Sequence, residues 1–270
     1  MKAGQLFLLF GAAVAGCNNN SSNENRPGGT ALKEESVFYA ADSANMTGFA
    51  VYDSSNTAKR PLVIVVHEWW GLNDYTKTRA RELAELGYFA LAVDVYGDRK
   101  QGNDPDAASK LAAPFYEHPE KAKARIDAAI EKIKSYPQVD TSKIAGIGYC
   151  FGGGVLLNIA RMGEPFKGVV SFHGSLVGTP ARKDLLKAKI LVCHGEADQF
   201  VKPEEVATFK KQMDSIGADY TFKSYPNATH AFTNPNATAI GEKFKMPIKY
   251  NAAADTASWN DMKEFFRKIF

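Results

Sequence analysis

The sequence has little cysteine and little net charge, and both shortages exclude classes of protein. Three cysteines in 270 residues cannot build a disulfide scaffold, and none belongs to a Cys-x-x-Cys pair typical of a structural zinc site. The net charge is only +3 and no run of lysine or arginine is present, so nothing indicates a nucleic-acid partner. The content of 45% hydrophobic and 23% charged residues is that of a globular protein.

The first 16 residues contain an apolar run that is too short to cross a membrane as a helix. Lys2 precedes this run, and small residues follow it up to Cys17. The pattern resembles the signal peptide (residues 1–16) and lipobox of bacterial lipoproteins, in which the cysteine is lipidated and becomes the mature N-terminus. We therefore expect lipid on Cys17 to anchor the protein to a membrane of the bacterial cell envelope, on its periplasmic or surface side. A plain cleaved secretory signal is the alternative.

The stretch after Cys17 is rich in Asn, Ser and Gly and contains no apolar residue up to residue 30. Such a composition cannot bury a core, so residues 17–31 are expected to form a flexible tether. Residues 32–270 are long enough to form one well-buried domain.

The remaining chain alternates short apolar runs with segments of helical periodicity. Strands are predicted at 61–66, 88–93, 143–147, 167–172, 189–193 and 220–225, and an edge hairpin from 36–40 and 48–52. Helices are predicted at 74–86, 151–162, 204–216 and 252–269, with two more between 105 and 136 that separate near 119. This order predicts an α/β fold with a mostly parallel sheet and helices on both faces. Chemistry in such folds lies beyond the carboxyl ends of the strands.

Residues 148–153, Gly-Tyr-Cys-Phe-Gly-Gly, directly follow a predicted strand and open a predicted helix. This is the context of a nucleophile elbow, with Cys150 where the usual Gly-x-Ser-x-Gly has serine. Glycines are needed there because side chains two residues on either side of the nucleophile would collide in the strained turn. The motif therefore predicts that Cys150 is a catalytic nucleophile, and a buried structural cysteine at a helix start is the alternative.

Two later residues stand in the order expected for partners of this nucleophile, which is acid and then histidine. Asp198 follows the strand at 189–193, and His230 follows the strand at 220–225. We expect His230 to act as general base and then acid, with Asp198 orienting its imidazole. The backbone N–H groups of Phe151 and Trp69 are the candidates for the oxyanion hole.

These motifs together resemble the dienelactone hydrolase family of the α/β-hydrolase superfamily. The resemblance rests on His67-Glu68-x-x-Gly71, Asp94-x-Tyr96, the Cys150 elbow, Gly195-x-x-Asp198 and His230-x-Phe232, in that order. It implies a Cys-Asp-His triad that hydrolyses an ester or lactone. It also implies that Glu68 contacts the thiol at rest, where a carboxylate would disfavour the oxidation-prone thiolate.

The candidate substrate-binding residues are Trp70, Tyr96, Arg99 and Asn234. Trp70 and Tyr96 lie at strand ends, where they could line an apolar pocket. Family members that act on dienelactone bind its carboxylate with arginines, one of them at the position that Asn234 occupies here and another just before the position of Arg99. The amide of Asn234 cannot donate the pair of charge-assisted hydrogen bonds that a guanidinium donates to a carboxylate. We therefore expect a neutral or differently charged ester as the substrate.

Other roles for the same chain remain as alternatives. A non-catalytic lipoprotein could bind a small ligand in a hydrolase pocket, and an acyltransferase could pass the acyl group to an acceptor other than water. Thiol redox chemistry would need Cys193 as a resolving cysteine, but a buried strand position favours a core role. We expect His173 to be structural, and His67 and His194 lack further ligands at metal spacing. No cofactor, metal or nucleic acid is expected, and the predicted partners are a small-molecule substrate and a membrane.

Overall fold

A computed structural model describes Met1 and residues 31–270, so the predicted signal peptide, Cys17 and most of the tether lie outside the described residues. The strands are β1 (Leu32–Ala41), β2 (Ala44–Asp53), β3 (Arg60–Val66), β4 (Phe89–Val93), β5 (Val139–Tyr149), β6 (Gly168–Phe172), β7 (Lys189–Gly195) and β8 (Tyr220–Tyr225). The helices are α1 (Asp74–Glu85), α2 (Pro105–Glu117), α3 (Pro119–Ile133), α4 (Phe151–Arg161), α5 (Pro203–Ser215), α6 (Ala237–Phe244) and α7 (Ala252–Ile269). Of the helices in this described part, none has the length and apolarity to cross a membrane.

The strands form one sheet in the order β1-β2-β4-β3-β5-β6-β7-β8. β1 pairs with β2, and β2 with β4, in antiparallel register at one edge. All other neighbouring pairs are parallel. The predicted edge hairpin and mostly parallel sheet are therefore confirmed, and the carboxyl ends of six strands meet along one edge of the sheet.

Strand β3 shows why helices cover both faces of this sheet. Its side chains alternate in direction, and all of those from Leu62 to Val66 are buried. Leu62, Ile64 and Val66 pack into a cluster with residues of α3 and α4, whereas Val63 and Val65 pack into a second cluster with residues of α1 and α7. A continuous apolar run was thus the correct signal for a strand buried on both sides.

The helix ends follow the capping residues in the sequence. The side chain of Asn73 accepts a hydrogen bond from the Thr76 backbone N–H at 3.2 Å, which caps the start of α1. Gly87 follows its last turn with φ of +93°, a conformation that favours glycine. α2 and α3 are separate helices, since His118 ends the first and Pro119 opens the second as predicted.

Four elements differ from their predictions, since β1 and β2 each begin four residues before the strands predicted at 36–40 and 48–52. β5 begins at Val139 rather than at residue 143, because it pairs with β3 in two stretches joined by a register shift between Pro61 and Leu62. Helix α6 was not predicted, because it has no side-chain cap and carries Gly241 in its interior. Gly241 lies where a Cβ atom would press on the Ile248 carbonyl oxygen, so the segment after α6 packs closely against this glycine.

Candidate active site

Cys150 occupies a strained turn between β5 and α4. Its φ of 51° and ψ of −112° lie outside the conformations that residues with a Cβ usually adopt. A Cβ atom on Gly148 would overlap the carbonyl oxygen of Gly152, and one on Gly152 would overlap that of Val66. The turn exists because glycine stands on both sides of Cys150, which is the steric reason inferred from the sequence.

Asp198 and His230 come from the loops after β7 and β8 and meet at the carboxyl edge of the sheet. His230 Nδ1 lies 2.8 Å from Asp198 Oδ2. The other oxygen, Asp198 Oδ1, accepts hydrogen bonds from the backbone N–H groups of Phe200 at 2.8 Å and Val201 at 3.2 Å. Because the carboxylate only accepts, Nδ1 carries the proton and Nε2 is left as the basic nitrogen of the ring.

The charges around His230 favour its protonated form once Cys150 has given up its proton. Burial alone lowers the pKa of His230, but the Cys150 sulfur and the Asp198 carboxylate together raise it well above its ordinary value. Burial conversely raises the pKa of Asp198, while His230 and the two backbone N–H donors lower it more, so the carboxyl stays ionised. The pair can therefore accept a proton at His230 and stabilise the imidazolium that results.

Glu68 lines the same cavity as Cys150, and its carboxyl group is held by a hydrogen bond from Asn234. Its side chain is buried, and its Oε2 accepts a hydrogen bond from Asn234 Nδ2 at 2.7 Å. Burial raises the pKa of Glu68 to about 7, although Asn234 and the charges of His230 and Arg79 act in the opposite direction. The expected contact between Glu68 and the Cys150 thiol stays a prediction.

His67 positions the loop that carries Glu68 and Trp69. Its Nδ1 lies 2.6 Å from the Glu68 carbonyl oxygen, and its Nε2 accepts from the Val95 N–H at 3.4 Å, so the ring is neutral with its proton on Nδ1. Burial lowers the pKa of His67 to about 4, which agrees with this assignment. The His67 ring stacks on Phe151 with centroids 5.6 Å apart. The loop and the elbow are thus one packed unit, and the oxyanion roles of the Trp69 and Phe151 amides stay predictions.

Cys150, His230 and Glu68 border a cavity of about 280 Å³. It is lined by Glu68, Trp69, Trp70, Ser109, Tyr116, Cys150, Phe151, Ser175, Phe200, Val201, His230, Ala231, Met246 and Ile248. The set includes the predicted nucleophile, base and Glu68, together with both residues of the predicted oxyanion hole. Lysine and arginine are absent from this described lining, and most of its wall is apolar or aromatic. The cavity suits a small, uncharged ligand.

Of the predicted substrate-binding residues, the structure brings only Trp70 into this cavity. Tyr96 lies behind it, where its hydroxyl donates to the Trp69 carbonyl oxygen at 2.9 Å. The backbone N–H of Arg99 donates to the Asp94 carboxylate at 3.0 Å, and Arg99 lines a separate depression. Asn234 is buried by its contact with Glu68. Strand-end position alone was an insufficient guide, because a side chain there can point into the protein as well as into the cavity.

Eight cavity-lining residues escaped the sequence analysis: Ser109, Tyr116, Ser175, Phe200, Val201, Ala231, Met246 and Ile248. Among them, Tyr116 lies in the last turn of α2. Phe200 and Met246 lie in loops, and Ile248 follows α6. Most of these positions depend on how distant loops fold over the sheet edge, and no local pattern marks them. Phe200, Val201 and Ala231 did have a signal, since each stands within three residues after Asp198 or His230.

Cys193 lies in β7, buried in the core. The Tyr225 hydroxyl, which donates to Asp261, lies 3.5 Å from the Cys193 sulfur, and burial raises the pKa of this thiol to about 12. An inert thiol of this kind fits the core role expected from the sequence rather than that of a resolving cysteine. Among the described residues, no group of three His, Cys, Asp or Glu side chains is arranged to hold a metal ion.

Comparisons with known proteins agree with this architecture. A model of the dienelactone hydrolase family matches residues 47–270. The crystal structure of P91, a dienelactone hydrolase-like promiscuous phosphotriesterase from metagenomic libraries, has 34% identity and a TM-score of 0.83, covering 90% of this chain and 100% of that one. A protein of Saccharolobus solfataricus provisionally named carboxymethylenebutenolidase is 26% identical over 87% of this chain and 99% of its own. MGS-M1, an α/β-hydrolase enzyme from a deep-sea metagenome library, shares the fold at 14% identity with a TM-score of 0.65, covering 88% and 98%. The predicted α/β-hydrolase fold is confirmed.

Proposed function

The chain belongs to the dienelactone hydrolase family, and on that premise we propose that it hydrolyses a carboxylic ester or lactone through a thioester formed on Cys150. Its family makes it a hydrolase of the ester and lactone class. The observation that carries the finer proposal is the 2.8 Å contact between His230 Nδ1 and Asp198, in the cavity where Cys150 stands at its strained elbow.

In the proposed reaction, the Cys150 sulfur attacks the carbonyl carbon while His230 Nε2 takes the thiol proton. The N–H groups of Phe151 and Trp69 bind the oxyanion that forms. Collapse of this intermediate expels the alkoxide, which takes the proton from His230 and leaves a thioester. Water then attacks the thioester and gives a proton to His230, and collapse releases the carboxylic acid and the thiol.

Glu68 is proposed to protect the thiol between turnovers. A carboxylate in the same cavity disfavours the thiolate, and the neutral thiol resists oxidation better. Substrate binding then moves Glu68 away and lets His230 activate the sulfur. Asn234 holds Glu68 in its resting position by the hydrogen bond described above.

The proposed substrate is neutral. The described cavity wall has no lysine or arginine that could bind a carboxylate, and it includes Glu68, which would repel one wherever the pH is high enough to ionise it. Asn234, at the position where the family resemblance places an arginine, is turned towards Glu68. Dienelactone, which carries a carboxylate, is therefore expected to be a poor substrate.

Phosphotriester hydrolysis is a second candidate activity. P91, at 34% identity, is named as a promiscuous phosphotriesterase, and phosphotriesters are neutral molecules that match a cavity without lysine or arginine in its described wall. Cys150 would attack phosphorus and expel one alkoxide or aryloxide, and water would then hydrolyse the resulting thiophosphate ester. Paraoxon turnover that is lost in Cys150→Ala supports this activity, and failure of the wild-type chain to turn over paraoxon removes it.

The test of the main proposal compares p-nitrophenyl butyrate with mono-p-nitrophenyl succinate, a similar ester that carries a carboxylate. The full-length chain in mild detergent is expected to favour the neutral ester by about tenfold or more in kcat/KM. Cys150→Ala should abolish both activities, whereas Cys193→Ser should keep them. Met246→Arg, which adds a cation to the cavity wall, should shift the preference towards the succinate ester.

Each rival function predicts another result. A folded chain without turnover of any ester would favour the ligand-binding lipoprotein. Ester products formed when alcohols are added would favour the acyltransferase. Loss of hydrolysis in Cys193→Ser with an intact fold would favour thiol redox chemistry.

We also propose that lipid on Cys17 anchors the enzyme to the cell envelope. The proposal rests on the signal-like residues before Cys17 and the polar stretch after it. Metabolic labelling with an alkyne fatty acid in a bacterial host should mark the wild-type chain and not Cys17→Ser. An unlabelled wild-type chain that is released in soluble form would point to the plain secretory signal instead.

A further inference from the structure

His173 contacts the nucleophile elbow although it does not line the cavity. It follows β6 directly, is buried, and has a positive φ of 42°. The backbone N–H of Cys150 donates to His173 Nδ1 at 3.1 Å as well as to the Phe172 carbonyl oxygen at 3.0 Å. Since Nδ1 accepts a hydrogen bond, the His173 proton is on Nε2.

The other side of His173 reaches the loop that carries His230. His173 Nε2 donates to Thr233 Oγ1 at 2.8 Å, and Thr233 Oγ1 lies 2.7 Å from the Tyr75 hydroxyl on α1. The Thr233 carbonyl oxygen also accepts from Arg79, one turn further along α1, at 2.8 Å. All four side chains are buried, so bulk water does not reach them to replace a lost hydrogen-bond partner.

We propose that His173, Thr233 and Tyr75 form a positioning network that fixes the Cys150 elbow relative to His230. The proposal rests on the function proposed above, in which His230 takes the proton of Cys150. Proton transfer depends on the distance and direction between these two groups, which come from loops far apart in the sequence. His173 joins the two loops directly.

The ring contacts and the charge state of His173 suit this role. Its ring packs edge-on against that of His230, with centroids 5.2 Å apart, so a shift of His173 also moves the base. Burial lowers the pKa of His173 well below its ordinary value, and the charges of His230 and Arg79 lower it further. The ring stays neutral while His230 changes charge, and Nδ1 remains an acceptor throughout the catalytic cycle.

The test removes the Thr233 hydroxyl, because the cavity wall then stays intact. Thr233→Val is nearly isosteric and leaves His173 Nε2 without a partner, whereas Thr233→Ser keeps the hydroxyl. Thr221→Val, at an exposed position of β8, controls for the substitution itself. Steady-state kinetics on p-nitrophenyl butyrate are expressed per active site, counted from the burst of p-nitrophenol, so unfolded protein does not enter the rate.

We expect Thr233→Val to lower kcat by about tenfold with KM nearly unchanged, and Thr233→Ser to restore most of it. The rate of Cys150 alkylation by iodoacetamide should fall in parallel, which a purely structural role would not produce. If Thr233→Val keeps kcat per site within about twofold of Thr233→Ser, the network does not position the catalytic groups. Failure of the proposed function is distinguishable, because Cys150→Ala would then retain hydrolysis.

Discussion

Replacing Glu68 by glutamine should stabilise the protein, and the gain should grow with pH. Glu68 is 2% exposed, and burial raises its pKa from 4.5 to about 7. A carboxyl whose pKa is higher in the folded than in the unfolded chain stabilises the folded state at pH values below its pKa in the unfolded chain. That stabilisation is lost as the pH rises through its pKa in the folded chain. The native state therefore bears the cost of a buried charge above neutral pH.

The size of the effect follows from the two pKa values. A tenfold change in proton affinity corresponds to about 1.4 kcal/mol, so the complete shift is worth about 3 kcal/mol at high pH. At pH 5 the wild-type chain bears less than about 1 kcal/mol of this cost, so the difference between pH 5 and pH 8 is about 2.5 kcal/mol. Glutamine keeps an oxygen that can accept the Asn234 hydrogen bond, so the substitution removes the charge without removing the partner.

The assay is urea unfolding of the wild type and Glu68→Gln at pH 5 and pH 8. Groups that titrate equally in both proteins contribute equally to both free energies of unfolding. The change with pH in the difference between the wild type and Glu68→Gln therefore reports the titration of Glu68. The same substitution at exposed Glu85 on α1 controls for the exchange of carboxylate for amide at the surface. A stability difference between wild type and Glu68→Gln that is equal at both pH values would refute the account of Glu68 as a buried titrating carboxyl.

Two further predictions concern the triad and the elbow. Asp198→Asn should lower kcat by roughly 10³ to 10⁴-fold with the fold intact, because the amide oxygen would keep the two backbone N–H donors and turn its NH₂ towards His230 Nδ1. His230 would then carry its proton on Nε2 and could not deprotonate Cys150; kcat within about tenfold of wild type would contradict this orientation. Gly152→Ala should destabilise the chain by about 1–3 kcal/mol in urea unfolding, because its Cβ would overlap backbone atoms of Val66. Gly154→Ala on the same helix meets only ordinary contacts and should be neutral or slightly stabilising, and equal effects of the two substitutions would contradict the steric role of Gly152.

Much of the fold was predictable because its signals are local. The apolar run of β3 and the Asn73 and Gly87 signals of α1 each depend on neighbours in the sequence. The elbow was predictable for the same reason, since its glycines surround Cys150 in one short motif. Helix α6 was not predictable, because it has no side-chain cap and carries Gly241 in its interior, where the segment around Ile248 packs closely.

The site was only partly predictable because its wall is assembled from distant segments. Asp198 and His230 were identified by their order after successive strands, which parallel topology brings to one edge. Tyr96 and Asn234 were predicted to bind substrate from their places in the sequence. Their side chains instead form hydrogen bonds with Trp69 and Glu68 and do not line the cavity. His173 gave no signal of its contact with the elbow, because the contact depends on the turn of its backbone after β6.

The most direct test of the central claim is to identify the acylated residue. The full-length chain is mixed with p-nitrophenyl butyrate, quenched in acid within the burst and digested for mass spectrometry. The account predicts one butyryl group on the peptide containing Cys150, labile to neutral hydroxylamine as a thioester is. A butyryl group on any other residue, or a burst without acylated protein, would contradict the assignment of Cys150 as the nucleophile.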